Sequence, residues 1–161
     1  MEAENLTIAA EQLDLVVYDF DGVMTDNRVL VFEDGREAVF AHRGDGFATE
    51  LIRQKGLAQL ILTTEKNPVV RKRAEKLKLD IIHSCANKKQ ALSDFCSDKG
   101  YALERTLFIG NDLNDFEALN IVGFPAAPAD AHSDVLAIAK LICRTRGGYG
   151  VIRELADRIT A

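Results

Sequence analysis

Cysteine is scarce: only Cys85, Cys96 and Cys143 occur in 161 residues. They are widely spaced and odd in number, which gives neither a disulfide framework nor a zinc-ligand pattern and suits a reducing cytoplasm. Histidine is equally sparse, and His42, His83 and His132 stand too far apart to suggest a shared ligand set. Positive charge is in deficit: 20 Lys and Arg face 25 Asp and Glu, for a net charge of −5. That balance argues against a nucleic-acid partner, because phosphate-backbone binding needs clustered Lys and Arg. The longest basic run, Arg71-Lys72-Arg73, is broken at once by Ala74-Glu75 and reads as a solvated helix face. Long apolar runs are absent too. The first dozen residues carry acids, so neither a signal peptide nor a membrane partner is expected. No internal repeat or low-complexity segment breaks the chain. What remains is a cytoplasmic globule, and 47% apolar content over residues 1–161 suffices for one domain with its own core.

The most informative stretch is Leu15-Val16-Val17-Tyr18-Asp19-Phe20-Asp21-Gly22-Val23-Met24-Thr25-Asp26. Its apolar run reads as a buried strand that ends abruptly in two carboxylates and a glycine. Alternation points Asp19 and Asp21 the same way. Carboxylates so close repel each other unless a cation lies between them, and a hard oxygen-ligated ion such as Mg²⁺ suits that role.

Along the chain, residues 1–12 read as a loose lead-in or a short helical turn. Val29–Phe32 and Glu37–Phe40, joined across Asp34-Gly35, predict a hairpin that interrupts the passage from strand to helix as a flap over about 28–41. Gly44-Asp45-Gly46 leads into a helix from Phe47 to Lys55. Further strands are expected at 58–62, 80–82, 106–109, 122–125 and 141–142. Helices are expected from an Asn67 cap with Pro68 first through Leu77, over 88–99, after Asp115, over about 133–139 and over 151–159. Strands alternating with helices predict an α/β fold: a doubly wound, mostly parallel, Rossmann-like sheet with its site at the strands' carboxyl edge and no large cap domain. A glycine-rich bend, Arg146 to Gly150, opens a carboxyl-terminal tail over about 144–161.

Four polar groups fall on that edge: Asp19 with Asp21, Thr63, Lys88, and Asn111 with Asp112 and Asp115. Each has an ordinary explanation. Thr63 would satisfy a strand end, Lys88 would be solvated in a first helical turn, and Asp112 and Asp115 would cap a helix. Together they make a phosphate site. A divalent ion and an ammonium neutralise phosphoryl oxygens, a hydroxyl donates, and Asp19 attacks phosphorus while Asp21 handles protons.

The residues Asp19 to Thr25, Thr63, Lys88 and Gly110-Asn111-Asp112-Leu113-Asn114-Asp115 resemble the four motifs of the haloacid dehalogenase superfamily of phosphatases, over nearly the whole chain. The hairpin in place of a cap and the Arg146-Gly147-Gly148-Tyr149-Gly150 bend are similar to a narrower group. These are the capless phosphatases of 3-deoxy-2-ulosonate phosphates and the related carboxyl-terminal domains of acylneuraminate cytidylyltransferases. The resemblance implies Asp19 as nucleophile, Asp21 as acid/base and backbone metal ligand, and Thr63 and Lys88 as phosphate binders. It implies Mg²⁺ held by Asp19, Asp21 and Asn111 or Asp112, with Asp115 behind them. It also implies a homotetramer in which hairpins pair and a neighbour's tail, with Arg146, helps close each site. Arg43, Asp45, Thr64, Glu65, Lys76 and Arg146 form the expected substrate-binding set.

Thr63-Thr64-Glu65-Lys66 with Arg71 to Lys76 resembles members acting on nine-carbon ulosonates, whereas the octulosonate enzymes more often place Arg or another residue at this Glu. Glu65 would accept hydrogen bonds from sugar hydroxyls, and Lys76 would pair with Glu65 or with a sugar carboxylate. Two departures stand out. Asn111 occupies a position that is usually acidic and metal-binding, and Gly44 precedes Asp45 where many octulosonate phosphatases show Arg, with Arg43 one residue earlier. Three readings follow. The favoured one is a Mg²⁺-dependent phosphatase of a nine-carbon sialic-type or eight-carbon octulosonate phosphate. The others are a catalytically weakened oligomerisation module and a receiver-type signalling domain. The last would place its phosphoacceptor at an interior strand rather than the first.

Overall fold

The computed structural model describes residues 6–161. Its centre is a six-stranded sheet, all parallel: β2 (Leu15–Tyr18), β5 (Ala58–Leu62), β6 (Asp80–Ile82), β7 (Thr106–Ile109), β8 (Phe124–Ala127) and β9 (Leu141–Ile142), in spatial order β6-β5-β2-β7-β8-β9. The first long strand thus lies in the middle, which is where a doubly wound order reverses and a ligand crevice opens. All four residues of β2 are fully buried, as expected of a strand covered on both faces. Val16 and Tyr18 face one core, with helices α1 (Gly44–Gln54), α2 (Val69–Leu77) and α6 (Val151–Arg158). Leu15 and Val17 face the other, with α3 (Lys88–Lys99), α4 (Leu113–Leu119) and α5 (Ser133–Ile138). Truncating any of these four side chains to Ala would remove the central strand's grip on one helical layer, at a cost of roughly 2–5 kcal/mol for the larger ones.

The hairpin is present but shorter than predicted. β3 (Leu30–Val31) pairs antiparallel with β4 (Glu37–Ala38), and a Thr25–Ala41 bridge closes its base. No cap domain follows.

Several boundaries differ from the sequence pattern for local reasons. α1 starts at Gly44 rather than Phe47; no side chain caps it at Arg43, and the His42 ring just outside accepts the Gly44 N–H at 3.1 Å. α2 starts at Val69, with Asn67 accepting the Val69 N–H at 3.0 Å from one residue further out than expected. β8 is displaced to Phe124–Ala127, in register with β7. The last helix stops at Arg158, and Ile159–Thr160 forms β10, pairing in parallel with β1 (Ile8–Ala9). The lead-in is therefore a strand followed by a turn over Ala10–Gln12. Residues 1–5 of that expected lead-in lie outside the described residues. No helix among the described residues is long and apolar enough to cross a membrane.

Candidate active site

Three neighbouring strands deliver the predicted side chains to one edge. β2 leads directly into Asp19, β5 into Thr63, and β7 into Gly110-Asn111. After β2 the backbone makes a single wide turn, with Thr25 N–H donating to the Phe20 carbonyl at 3.1 Å. Gly22 sits in that turn at φ +85°, a conformation that disfavours a side chain. A Cβ at Gly22 would also lie 2.0 Å from the Asn111 carboxamide, so the glycine opens the space that Asn111 fills.

Asp19 is buried, with Oδ1 accepting from the Phe20 N–H at 2.7 Å and from Lys88 Nζ at 2.8 Å. Lys88 is buried in the first turn of α3 and also donates to Asp115 Oδ1 at 2.6 Å. The solvated role that its position alone suggested is therefore wrong. Asp115 holds the β7–α4 loop through its other oxygen, which accepts the Asn111 N–H at 2.9 Å and the Asp112 N–H at 3.3 Å. A Cβ at Gly110 would strike Asp115 at 2.7 Å, so that glycine is a steric requirement. Burial, and then the Asp115 charge, push Asp19 upward against the pull of Lys88. Burial pulls Lys88 down, but the Asp19 and Asp115 carboxylates outweigh it and its net direction is up. The ammonium is thus charged and committed to two acids. Asp21 is raised by burial and then by the Glu65 charge, which favours the protonated form a general acid needs. Thr63 Oγ1 accepts the Glu65 N–H at 3.0 Å, the strand-end role foreseen for it, and its own hydroxyl proton remains to donate.

The Asn111 carboxamide bears on whether the residues fit a cation. It lies against the Asp21 carbonyl and Asp19 Oδ2, to which its amide group can donate at 2.9 Å and 3.0 Å. A carboxylate, a carbonyl and an amide oxygen are hard ligands, so the set fits Mg²⁺. Asp112 is exposed and caps α4, accepting the Leu113 N–H at 2.7 Å, and it lines the same small cavity. No group of three or more His, Cys, Asp or Glu among the described residues is placed to hold a metal ion without other ligands.

The cavity holding Asp19, Asp21, Thr63, Thr64, Asn111 and Asp112 measures about 80 Å³. That is the volume of two or three waters, enough for a phosphoryl group but not a sugar. An adjoining cavity of about 260 Å³ shares Asp21 and Asn27 and is lined by Glu65, Glu37 and Arg28. Arg43 and Lys76 lie elsewhere, with Arg73 in a third, larger cavity of about 500 Å³. The pairing expected between Lys76 and Glu65 is absent among the described residues; Glu65 Oε1 instead accepts the Lys66 and Asn67 N–H groups at 2.6 and 2.7 Å. Asp45 is buried with one oxygen unpartnered, 3.9 Å from Arg73, and burial pushes it up to about 7. Arg146 is exposed and paired with Asp130 at 3.3 Å, away from the catalytic cavity of its own chain. Two residues were given no role from the sequence. Thr25 Oγ1 donates to Asp21 Oδ1 at 3.3 Å while accepting from Gly22 and Asn27, and Asn27 lines both cavities at φ +64°. The signal for Thr25 was its spacing four residues past Asp21, one turn away.

A family model for haloacid dehalogenase-like hydrolases matches residues 49–155. The chain belongs to the haloacid dehalogenase-like hydrolases. Among curated relatives, the 3-deoxy-D-manno-octulosonate 8-phosphate phosphatase KdsC of Escherichia coli K12 is 30% identical, over 92% of this chain and 79% of the relative. Among solved structures, a haloacid dehalogenase family hydrolase from Streptomyces avermitilis is 47% identical with a TM-score of 0.93, covering 97% of this chain and 90% of that one. The 3-deoxy-D-manno-octulosonate 8-phosphate phosphatase of Moraxella catarrhalis, solved with magnesium, phosphate and its sugar acid, is 27% identical with a TM-score of 0.88, covering 92% and 86%. This haloacid dehalogenase-like hydrolase therefore shares its relatives' fold and enzyme class, a phosphoric monoester hydrolase without a large cap.

Proposed function

We propose that the chain is a Mg²⁺-dependent phosphatase of a 3-deoxy-2-ulosonate sugar-acid phosphate, working through a phosphorylated Asp19. The observation carrying this reading is the buried Lys88 bonded at once to Asp19 and Asp115, beside an Asn111 carboxamide that meets both Asp19 and the Asp21 carbonyl. Asp19, Asp21 through its carbonyl and Asn111 would hold the ion, which supplies charge neutralisation for the phosphoryl oxygens. Lys88 and the Phe20 N–H fix Asp19 Oδ1 and so aim the carboxylate. Asp19 attacks phosphorus and the bond to the sugar oxygen breaks. Protonated Asp21, steadied by Thr25, gives its proton to that oxygen. Asp21 then takes a proton from water, which attacks phosphorus, breaks the bond to Asp19 and releases inorganic phosphate. Thr63 donates to a phosphoryl oxygen throughout.

The small catalytic cavity requires the sugar to extend past Asp21 into the space beside Glu65, whose carboxylate accepts from sugar hydroxyls. That acid favours a nine-carbon 9-phosphate. The eight-carbon octulosonate 8-phosphate is the second reading, supported by the names of the curated relatives. Arg43, Arg73 and Lys76 form a cationic cavity suited to a sugar carboxylate, yet they do not reach Asp19 within one chain. They serve substrate if a second protomer brings its cationic cavity to the first protomer's site. The hairpin supports such an assembly, since Leu30, Val31 and Phe40 are 55%, 61% and 70% exposed. We infer a homotetramer built on this ribbon, in the cytoplasm. Phosphate release from nine- and eight-carbon ulosonate phosphates with Mg²⁺ tests the reading. The ratio of their kcat/KM values decides chain length, and no turnover of either refutes it.

A further inference from the structure

The Arg146–Gly150 bend was expected to act on a neighbouring subunit, yet its glycines are pressed against the catalytic turn of their own chain. Gly147 lies so close to the Gly22 carbonyl that an added Cβ would sit 1.8 Å from its oxygen. Gly148 N–H donates to the Val23 carbonyl at 2.9 Å. A Cβ at Gly148 would stand 2.2 Å from the Asp26 nitrogen, and its φ of +76° independently favours glycine. The bend has firm anchors of its own. Gly147 N–H donates to Asp130 Oδ1 at 2.9 Å, and Glu154 in α6 accepts the Arg144 and Thr145 N–H groups at 2.9 and 2.8 Å. α6 buries Val151, Ile152 and Leu155 in the core, so the bend is mounted on a rigid element.

Gly22 is therefore enclosed from two sides. Asn111 fills the space where its Cβ would be, and Gly147 abuts its carbonyl oxygen. The peptide between Asp21 and Gly22 carries the carbonyl that faces the Asn111 carboxamide. We propose that Gly147 and Gly148 are positioning residues, a rear clamp on the Gly22–Val23 peptide and the Val23 carbonyl that fixes the preceding residue, so that the Asp21 carbonyl meets the cation and the Asp21 side chain meets the leaving group. This rests on the metal-dependent phosphatase reading. It gives the carboxyl-terminal bend a task within each protomer. Small shifts of a ligand's supporting shell lower metal affinity and activity by about 10- to 100-fold, which sets the size of the effect.

The test uses the full chain, Mn²⁺ as the probe metal followed by its paramagnetic resonance signal, and p-nitrophenyl phosphate as the probe ester. Gly147→Ala inserts the methyl group without a φ penalty, and Asp130→Ala loosens the bend without inserting anything. Asp130→Asn keeps an oxygen for the Gly147 N–H. Gly100→Ala, at φ +74° in open space at the end of α3, is the control for backbone strain. The clamp predicts that Gly147→Ala weakens Mn²⁺ binding about tenfold or more. Asp130→Ala does so to a smaller extent, both lower kcat more than they raise KM, and Asp130→Asn restores wild-type values. Gly100→Ala lowers the melting temperature and leaves Mn²⁺ affinity alone. Wild-type Mn²⁺ affinity in a folded Asp130→Ala or Gly147→Ala protein overturns the clamp, and so does equal impairment of Asp130→Ala and Asp130→Asn. If Gly147→Ala does not fold, the Asp130 pair decides. A wild-type chain that binds no Mn²⁺ removes the functional reading and the clamp with it, whereas normal wild-type binding with unaltered variants removes the clamp alone.

Discussion

Replacing Asn111 by Asp changes one atom's charge at the centre of the proposed cation site, and its two consequences have opposite signs. In the metal-free protein the Asn111 amide can donate to both Asp19 Oδ2 at 3.0 Å and the Asp21 carbonyl at 2.9 Å. Asp cannot donate when ionised, and it sets a second charge about that far from Asp19. At an effective dielectric constant of 20, like charges 3.0 Å apart repel by roughly 5 kcal/mol. The Lys88 ammonium, 2.8 Å from the other Asp19 oxygen, offsets much of this. The net loss of metal-free stability is expected at about 1–3 kcal/mol. With Mg²⁺ bound the added charge becomes an asset, and affinity should rise on the order of tenfold or more. Calorimetric titration with Mg²⁺ gives the affinity, and thermal unfolding with and without saturating Mg²⁺ gives the stability. Asn111→Asp should melt below wild type without metal and gain more than wild type when it is added. Equal Mg²⁺ affinity, or an unchanged metal-free melting temperature, would refute this account of the site.

Three further outcomes follow from the same geometry. Glu65 is a like-charged neighbour that raises Asp21, so Glu65→Gln should lower Asp21 toward its ordinary range. Loss of the protonated acid then begins at lower pH, and the basic limb of the kcat profile should move down; a limb that stays put contradicts the assignment of Asp21 as acid. Asp45 stands at about 7 in the fold against 3.8 for an unperturbed group. The native state holds that proton more tightly, so wild-type stability should fall as pH rises through that window. Asp45→Asn should gain on wild type across it, by at most roughly 4 kcal/mol, as denaturant melts at pH 5 and pH 8 would show. Finally, Leu30→Lys with Val31→Lys should convert the proposed homotetramer to smaller species in light scattering. Persistence of a tetramer would move the interface elsewhere.

Much of this site was legible because its information is short-range. An apolar run ending in Asp-x-Asp-Gly places acids at a strand's carboxyl end, and parallel pairing of β2 with β5 and β7 brings Thr63 and Asn111 alongside. Lys88 was predicted from the same pattern, although only the fold explains why it is buried: two acids share its ammonium. The misreadings concern proximity between distant segments. Lys76 follows Glu65 by three helical turns in sequence, but α2 carries it to a different cavity. Nothing local in Ile8-Ala9 announces a partner at Ile159-Thr160, and two residues are too few to show alternation. Gly147 reads as a flexible bend until its contact with the Gly22 carbonyl is seen. The start of α1 was hidden because Gly44 and Gly46 are poor helix formers and no capping side chain marks it.

The central claim is that Asp19 carries the phosphoryl group, and chemical trapping tests it most directly. Acid quench of the enzyme turning over a ulosonate phosphate with Mg²⁺, then borohydride reduction, converts an aspartyl phosphate to homoserine that peptide mass spectrometry can locate. Homoserine is expected at position 19 alone, dependent on both substrate and Mg²⁺. Homoserine at 21, 112 or 115, or phosphate release with no reduced residue anywhere, would contradict it.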